Sequence, residues 1–317
     1  MKKFLKSIYY VLLVGFFSSN FSYADCKLDN QFDKTEYCSF NLAKVRDLAE
    51  KGDKEAQFRL GLNFEKGRDL QKNETEAVKW YTKASEQNQL DARHNLALLY
   101  EAGTGVKKDL KKALELEKSA AELGHKNAQN TLGLYLLDGV GTEKNVDKGV
   151  EWLTKSANQG LSEASDNLGK VYEYGKYVPA DNKKAFYWYQ KAARLGNSSA
   201  QFSTCVFYRK GLGVKKDATK ALEYCKMAAK GGHLDAQVVT GVLLRGNAEG
   251  VKPNYEESFY WLKKAADRGD VGAYFFVGVA YQAGVGVVQS NTQARKWFEL
   301  SAKHGDKAAQ NRLIQLH

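Results

Sequence analysis

Four cysteines are the side chains of this 317-residue sequence best suited to covalent chemistry. Cys26 and Cys38 lie near the N terminus, whereas Cys205 and Cys225 lie far along the chain. Cysteine pairs persist as disulfides in oxidising compartments, where they stabilise small or irregular segments. Four cysteines allow three pairings, so the sequence alone leaves the connectivity open.

The other reactive side chains do not form a recognisable catalytic or metal-binding motif. Ser-x-x-Lys and Lys-Thr-Gly, which β-lactamases and penicillin-binding proteins use, are absent, and Ser-Asp-Asn occurs once, at 165–167. No two of the 5 histidines have ligand spacing, and no cysteine pair lies beside them. The Gly-x-Gly segments lack the third glycine and the lysine of a phosphate-binding loop. We therefore expect a protein that is not an enzyme and has no catalytic residue, metal or cofactor.

A repeat of 36 residues must position whatever chemistry the chain carries. Alanine recurs at this spacing, broken by one single-residue insertion, at Ala56, Ala92, Ala128, Ala164, Ala200, Ala236, Ala273 and Ala309. Periods of about 20 to 50 residues are typical of solenoids, in which each unit contacts only its neighbours. The core of a solenoid lengthens without thickening, so the chain need not divide into globular domains.

Each repeat has the pattern of two helices. Apolar residues at helical spacing, such as Leu132 and Leu136, predict a first helix, and Gly139 and Gly141 supply its left-handed stop. The mid-helix Gly133 indicates close approach of a second helix, which ends on small residues. Every second helix is preceded by a residue that favours the N-cap position: Asn73, Asp109, Asn145, Asp181, Asp217, Asn254 and Ser290.

These residues resemble a known family. Ala-x-x-x-Leu-Gly-x-x-Tyr at 164–172, Gly-x-Gly-Val-x-x-Asp at 103–109 and Lys-Ala-x-x-Trp-Tyr-x-Lys-Ala-Ala at 184–193 are similar to the Sel-one-like repeat, a relative of the tetratricopeptide repeat. The resemblance covers about residues 42–317. It implies a scaffold that binds other proteins, with no ligand common to the family.

The resemblance also implies the architecture. We expect an all-α fold, a right-handed α-solenoid superhelix of seven antiparallel helix pairs plus a C-terminal capping helix. Residues 25–52 are expected to form an N-terminal cap and a leading helix, and residues 306–317 the capping helix, since terminal repeats need special faces. The seven units are predicted at 53–88, 89–124, 125–160, 161–196, 197–232, 233–269 and 270–305.

The first 24 residues have the pattern of a secretory signal peptide. Three lysines precede an apolar stretch at 8–17, and a small-x-Ala cleavage site ends at Ala24. About 10 apolar residues are too few to cross a layer that needs about 20, so we expect cleavage and no transmembrane segment in the mature chain. The protein is then periplasmic or secreted, where nucleic acid is not an expected partner. Its net charge of +11 fits either solvated helix faces or an acidic partner.

Two disulfides are expected on these grounds. Cys26 and Cys38 can staple the predicted cap. Cys205 takes the mid-helix glycine position of its unit and Cys225 an aromatic position opposite it, so either a disulfide or an exchange of volume between two reduced residues fits. The exported, cysteine-rich Hcp-type subgroup of the family places its cysteines across successive units, so the likeness to that subgroup is partial.

The first helices of related solenoids line a concave groove where another protein binds. The groove residues predicted for the last three units form an apolar strip edged by arginine: Phe202, Val206, Arg209, Val238, Val242, Arg245, Phe275 and Val279. The alternative is that curvature buries them between neighbouring helices. We expect an adaptor for an envelope or host protein. A binder of cell-wall glycan and a β-lactam-hydrolysing or penicillin-binding protein are the alternatives.

Overall fold

Sixteen helices and no strand make up the described part of the chain. The computed structural model describes residues 42–246 and 248–316. Cys26, Cys38 and the expected signal peptide lie outside these residues. The helices are α1 (Leu42–Glu50), α2 (Lys54–Lys66), α3 (Glu74–Glu86), α4 (Leu90–Ala102), α5 (Leu110–Glu122), α6 (Lys126–Asp138), α7 (Val146–Asn158), α8 (Ser162–Tyr174), α9 (Asn182–Arg194), α10 (Ser198–Lys210), α11 (Ala218–Lys230), α12 (Leu234–Leu243), α13 (Tyr255–Asp267), α14 (Val271–Ala283), α15 (Asn291–Lys303) and α16 (Lys307–Gln315).

Local side-chain chemistry sets the ends of these helices. All seven predicted N-cap residues accept a hydrogen bond from a backbone amide in the first turn of a second helix, as Asp109 does from Lys112 at 2.9 Å. Six of the seven first helices end on a glycine in the left-handed region. The exception is α12, which ends early at Leu243, just before the insertion in the sixth unit. Asn88, which replaces a closing glycine, adopts the same left-handed region at φ 59°.

The described residues belong to two compact units, one ending at Gln87 and the other beginning at Asn88. In the compact unit that ends at Gln87, Ala56 and Leu60 of α2 pack with Ala49 of α1 and Trp80 of α3. Burial of these apolar side chains is the main stabilising contribution to the small three-helix unit.

The second compact unit contains α4 to α16, and each of these helices packs against the next along the chain. Small residues allow the close approach, as Ala192, Ala193 and Ala200 do where α9 meets α10. Fully buried aromatics such as Tyr189 and Phe207 fill the space beside them. This succession of helix pairs confirms the α-solenoid expected from the repeat. Among the described helices, none combines the length and apolarity needed to span a bilayer.

Candidate interaction surface

In the compact unit that begins at Asn88, the first helices of successive repeats lie side by side. Nδ2 of Asn167 on α8 donates to Oδ1 of Asn130 on α6 at 2.9 Å. The guanidinium of Arg245, two residues past the end of α12, lies 5.6 Å from the ring centre of Phe276 on α14. Equivalent positions therefore share one surface. We call it the first-helix face, marked along α4, α6, α8, α10, α12 and α14 by His94, Asn130, Asp166, Phe202, Val238 and Phe275.

The predicted apolar strip occupies the α10, α12 and α14 part of this face, and all eight of its residues are half-buried. The Phe202 ring stacks on His233 with 4.4 Å between centroids, and the Phe275 ring lies 5.8 Å from that of Phe298. Val238 and Val242 pack on the cluster around Leu262. The strip therefore contributes to helix packing and also keeps a partly accessible apolar surface.

Arg209 and Arg245 border the strip without compensating charge. Both are half-buried, and neither guanidinium forms an ion pair with a carboxylate in the described part of the chain. Arg245 instead stacks on the ring of Phe276. A half-buried guanidinium without an ion pair retains several N–H donors that are available to an anion.

Each hairpin has a close contact between its helices near the middle of the first helix. A Cβ atom added to Gly169 would lie 2.5 Å from Cδ1 of Tyr189, so only glycine fits there. In the fifth unit the same contact is a disulfide between Cys205 and Cys225, with the sulfurs 2.04 Å and the Cα atoms 5.2 Å apart. The seven pairs at this contact are Gly61 and Tyr81, Ala97 and Glu117, Gly133 and Leu153, Gly169 and Tyr189, Cys205 and Cys225, Gly241 and Leu262, and Gly278 and Phe298.

In two repeat units, the first and the fourth, the tyrosine at this contact binds a glutamate on the first helix. The Tyr81 hydroxyl donates to Oε2 of Glu65 at 2.6 Å, and the Tyr189 hydroxyl donates to Oε2 of Glu173 at 2.5 Å. Burial, followed by the hydrogen bond and charge of Glu173, raises the pKa of Tyr189 far above its ordinary value. The tyrosine therefore remains a neutral donor.

The second repeat unit replaces this arrangement with a buried ion pair. Glu117, 0% exposed, stands where the others have tyrosine or an apolar residue, and Nδ1 of His94 lies 2.8 Å from its Oε1 and 3.0 Å from its Oε2. Burial opposes the charge on His94, but the Glu117 carboxylate outweighs it and raises the pKa of His94. Burial also raises the pKa of Glu117, against the opposing effect of His94. The pair thus holds one proton tightly.

Sequence reasoning missed this pair. It found no metal motif among the histidines, and it did not use the charged residue at position 117. The sequence does carry a signal for it. The other repeat units have an aromatic or apolar residue at the position of Glu117, so a carboxylate there is expected to be buried, as it is.

Two further polar atoms on or near this face have no hydrogen-bond partner among the described residues. They are the Tyr135 hydroxyl and Oδ1 of Asp166, both in residues only 4% exposed. Oδ2 of Asp166 forms an ion pair with Lys170 at 2.6 Å. The Tyr135 hydroxyl is close enough to Glu101 to interact with it, though not in hydrogen-bonding geometry. Buried polar atoms are normally paired, so these two atoms are exceptions among the described residues.

The Ser-Asp-Asn segment forms no visible catalytic arrangement. Ser165 lies inside α8 and is fully buried, and its hydroxyl donates to the carbonyl of Leu161 at 3.5 Å. No group of three metal-ligating side chains occurs in residues 42–246 and 248–316.

Comparison with known proteins gives a short match among curated sequences. Chitin synthase regulatory factor 3 of Schizosaccharomyces pombe is 37% identical over 75 residues. That segment is 23% of this chain and only 8% of the yeast protein. The likeness therefore concerns the repeats and not the yeast protein as a whole.

Solved structures match over most of the chain. A Sel1 repeat protein from Oxalobacter formigenes is 28% identical with a TM-score of 0.65, covering 92% of this chain and 83% of that one. The protein c5321, a protective antigen of uropathogenic Escherichia coli, is 28% identical with a TM-score of 0.53, covering 86% of this chain and 66% of that one.

The repeats themselves match a family model along most of the chain. The Sel1 repeat model matches seven consecutive segments, each beginning one residue after the predicted boundary: 54–89, 90–125, 126–161, 162–197, 198–233, 234–270 and 271–306. With these seven matches on an all-helical scaffold of paired helices, the chain belongs to the Sel1 repeat family.

Proposed function

We propose that this protein is an exported, non-enzymatic scaffold that binds a segment of another protein on its first-helix face. The observation that carries the proposal is the pair of half-buried, unpaired arginines, Arg209 and Arg245, beside an apolar strip on neighbouring helices. Desolvated arginine next to apolar surface is common at the energetic centre of protein interfaces.

The partner segment that fits this strip carries a carboxylate next to apolar side chains. An acidic side chain can accept paired hydrogen bonds from a guanidinium. Its apolar neighbours can cover the accessible parts of Val206 and Val242, which line the same strip. Substitution of Phe202 is a poor test, because its ring already packs on His233 and a charge there would disturb the fold.

The partner can be found with a photo-crosslinking amino acid on this face. Lys210 is exposed beside Arg209 and takes the crosslinker, and the exposed Tyr187 on α9 serves as the control position. We expect a protein adduct from position 210 that does not form from position 187. The adduct is identified by mass spectrometry, and the partner is then expressed and purified.

Affinity for the purified partner then decides the mode of binding. Arg209→Gln with Arg245→Gln is expected to weaken binding by about 2 kcal/mol or more, roughly 30-fold. The matched control, Lys111→Gln with Lys296→Gln, removes the same charge from exposed positions of α5 and α15 and should change affinity little. Equal effects of the two pairs would contradict a site at the arginines, and binding to purified peptidoglycan that needs neither arginine would support the glycan alternative.

Export is part of the proposal and has its own measurement. The basic, apolar and small-x-Ala pattern of the first 24 residues supports it. Intact mass of the protein from fractionated cells is expected to correspond to a chain beginning at Asp25, recovered outside the cytoplasm. A chain that retains residues 1–24 in the cytoplasm would contradict export.

A further inference from the structure

The loops that follow the first helices touch one another along the solenoid of α4 to α16. The loop of the third repeat lies against the start of α5, because a Cβ atom on Gly141 would collide with the carbonyl oxygen of Leu110. The loop of the fifth repeat lies in the same way against the start of α9, because a Cβ atom on Gly213 would collide with the carbonyl oxygen of Asn182. Loops and second-helix starts of neighbouring repeats are therefore in direct contact.

The loop of the fourth repeat completes this row. The Tyr177 hydroxyl in that loop donates to Oδ1 of Asp138, at the end of α6 in the third repeat, at 2.7 Å. Four successive repeats thus present their loops on one side of the compact unit. We call this surface the loop edge and define it as each loop with the first turn of the helix that follows: 103–112, 139–148, 175–184 and 211–220.

Lysine is concentrated on the loop edge. Its four segments contain twelve lysines and five acidic residues, whereas the corresponding segments of the last two repeats, 246–257 and 284–293, contain one lysine and three acidic residues. The excess comes from the second, fourth and fifth repeats, and the third, which is balanced, lies between them. Lysines that served only to keep the chain soluble would be expected at this position in every repeat.

The acidic residues of the loop edge are mostly engaged with the backbone. Three of the five, Asp109, Asp181 and Asp217, are N-caps that accept amides of the first helical turn. Four lysines form ion pairs. The other eight are exposed and form no ion pair within residues 42–246 and 248–316: Lys107, Lys108, Lys111, Lys144, Lys148, Lys183, Lys215 and Lys216.

A cavity of about 660 Å³ opens on the loop edge where the fourth and fifth repeats meet. Lys183, Lys184, Tyr172 and Gly213 line it together with residues 178–182. The Tyr172 ring centre lies 5.2 Å from Nζ of Lys184. The cavity therefore offers room for a small phosphate-bearing group beside two lysines.

The shape of the loop edge suits a flat anionic surface. Its lysines occupy equivalent positions of stacked repeats, so several of them can meet a plane at once. Clustered lysines are attracted to anionic lipid head groups over a distance that salt shortens. A bound peptide segment would instead need a groove or a free strand edge, and the loop edge consists of turns and helix starts.

We propose that the loop edge docks on an anionic phospholipid surface, with its unpaired lysines against the lipid phosphates and one head group in the cavity beside Lys183. The proposal goes beyond the proposed function, because it requires neither the partner protein nor the arginines of the apolar strip. A scaffold docked in this way holds its partner site close to a membrane.

Vesicle co-sedimentation of the purified protein tests the docking. Vesicles of phosphatidylglycerol and phosphatidylcholine in equal parts are compared with vesicles of phosphatidylcholine alone. We expect the protein to sediment with the anionic vesicles only, and to be released at about 1 M salt, where the screening length falls to about 3 Å. Failure to bind the anionic vesicles, or equal binding to both kinds, would overturn the proposal.

Two matched variants locate the docking surface. The first removes four charges from the loop edge: Lys111→Gln, Lys183→Gln, Lys215→Gln and Lys216→Gln. The control removes four charges from exposed positions at the opposite ends of the helices: Lys126→Gln, Arg194→Gln, Lys230→Gln and Lys303→Gln. The loop-edge variant should partition onto anionic vesicles at least about tenfold more weakly than the parent, and the control within about twofold of it.

The remaining outcomes separate the lipid from other anions and this inference from the proposed function. Equal losses in the two variants would show that net charge alone attracts the protein, and the proposal would be wrong. Binding of poly-L-glutamate or a DNA duplex at the loop edge, without binding of anionic vesicles, would also overturn it. Both variants keep the arginines of the apolar strip, so a failure here leaves the partner site untouched.

Discussion

Nδ1 of His94 lies 2.8 Å from Oε1 of Glu117, and neither residue type occurs at the equivalent position of any other repeat unit. The pair joins the first helix of the second repeat unit to its second helix, near the contact where five other repeat units place glycine against a bulky residue. Replacing one member of a buried pair leaves the other uncompensated, so the two residues depend on each other.

This pair predicts a pH dependence of stability. Glu117 raises the pKa of His94 against the effect of burial, and burial raises the pKa of Glu117, so both residues bind a proton more tightly when the chain is folded. The contribution of His94 is fully present below the ordinary histidine pKa of about 6.5 and is lost as pH rises through the raised value, whereas the contribution of Glu117 is full only below the ordinary glutamate pKa of about 4.3.

Urea unfolding followed by circular dichroism at a series of pH values checks this dependence. The free energy of unfolding should fall from about pH 6.5 upward in the parent protein. The neutral variant His94→Asn with Glu117→Gln should lack this slope, while the neighbouring Asp91, His125, Glu101 and Tyr135 remain as in the parent. An identical slope in both proteins would show that other groups cause it.

Gly169→Ala should destabilise the fourth hairpin. The added Cβ would lie 2.5 Å from Cδ1 of the buried Tyr189 ring. Overpacking of this kind costs about 1–3 kcal/mol, only partly offset by the better helix propensity of alanine. Hydrogen exchange of α8 and α9 should accelerate. Gly272→Ala in α14 is the control, because only the Asp270 side chain comes near and the ring contact is absent.

Loss of the Cys205–Cys225 disulfide should loosen the fifth hairpin. The bridge closes a loop with a sequence separation of 20, for which the expected contribution is about 3 kcal/mol. Cys205→Ala with Cys225→Ala should therefore speed hydrogen exchange in α10 and α11, with α15 as an internal reference. Because both proteins keep Cys26 and Cys38, a difference reports this bridge alone. Unchanged exchange would mean that packing holds the hairpin without it.

The second unit should accept the tyrosine arrangement of its neighbours only when the opposing residue changes too. Glu117→Tyr alone removes the partner of His94 and places a ring against the Ala97 side chain, at a contact where the tyrosine units have glycine. We expect a loss of about 3 kcal/mol. Adding Ala97→Gly should recover at least about 1 kcal/mol, although glycine alone weakens a helix. A double-mutant cycle in urea measures the coupling, and simple additivity would contradict this account.

The sequence alone determined the repeat and the helix ends. A 36-residue period predicts paired helices because each unit can bury its apolar faces only against its neighbours. Asn73 and Asp217 could be recognised as N-caps because a capping side chain bonds to an amide only a few residues away. The mid-helix Gly133 also indicated the close approach of a second helix, because only a small residue leaves room for one.

The tertiary structure decided which distant side chains meet and how far they remain accessible. Phe202 and Phe275 are half-buried because neighbouring rings cover them, which the sequence could not distinguish from an open groove. Glu117 meets His94 across 23 residues only because the two helices of one hairpin pack at close range. Contacts of this kind depend on the crossing of helices and on which side chain fills the space between them, whereas caps and periods depend on chain neighbours.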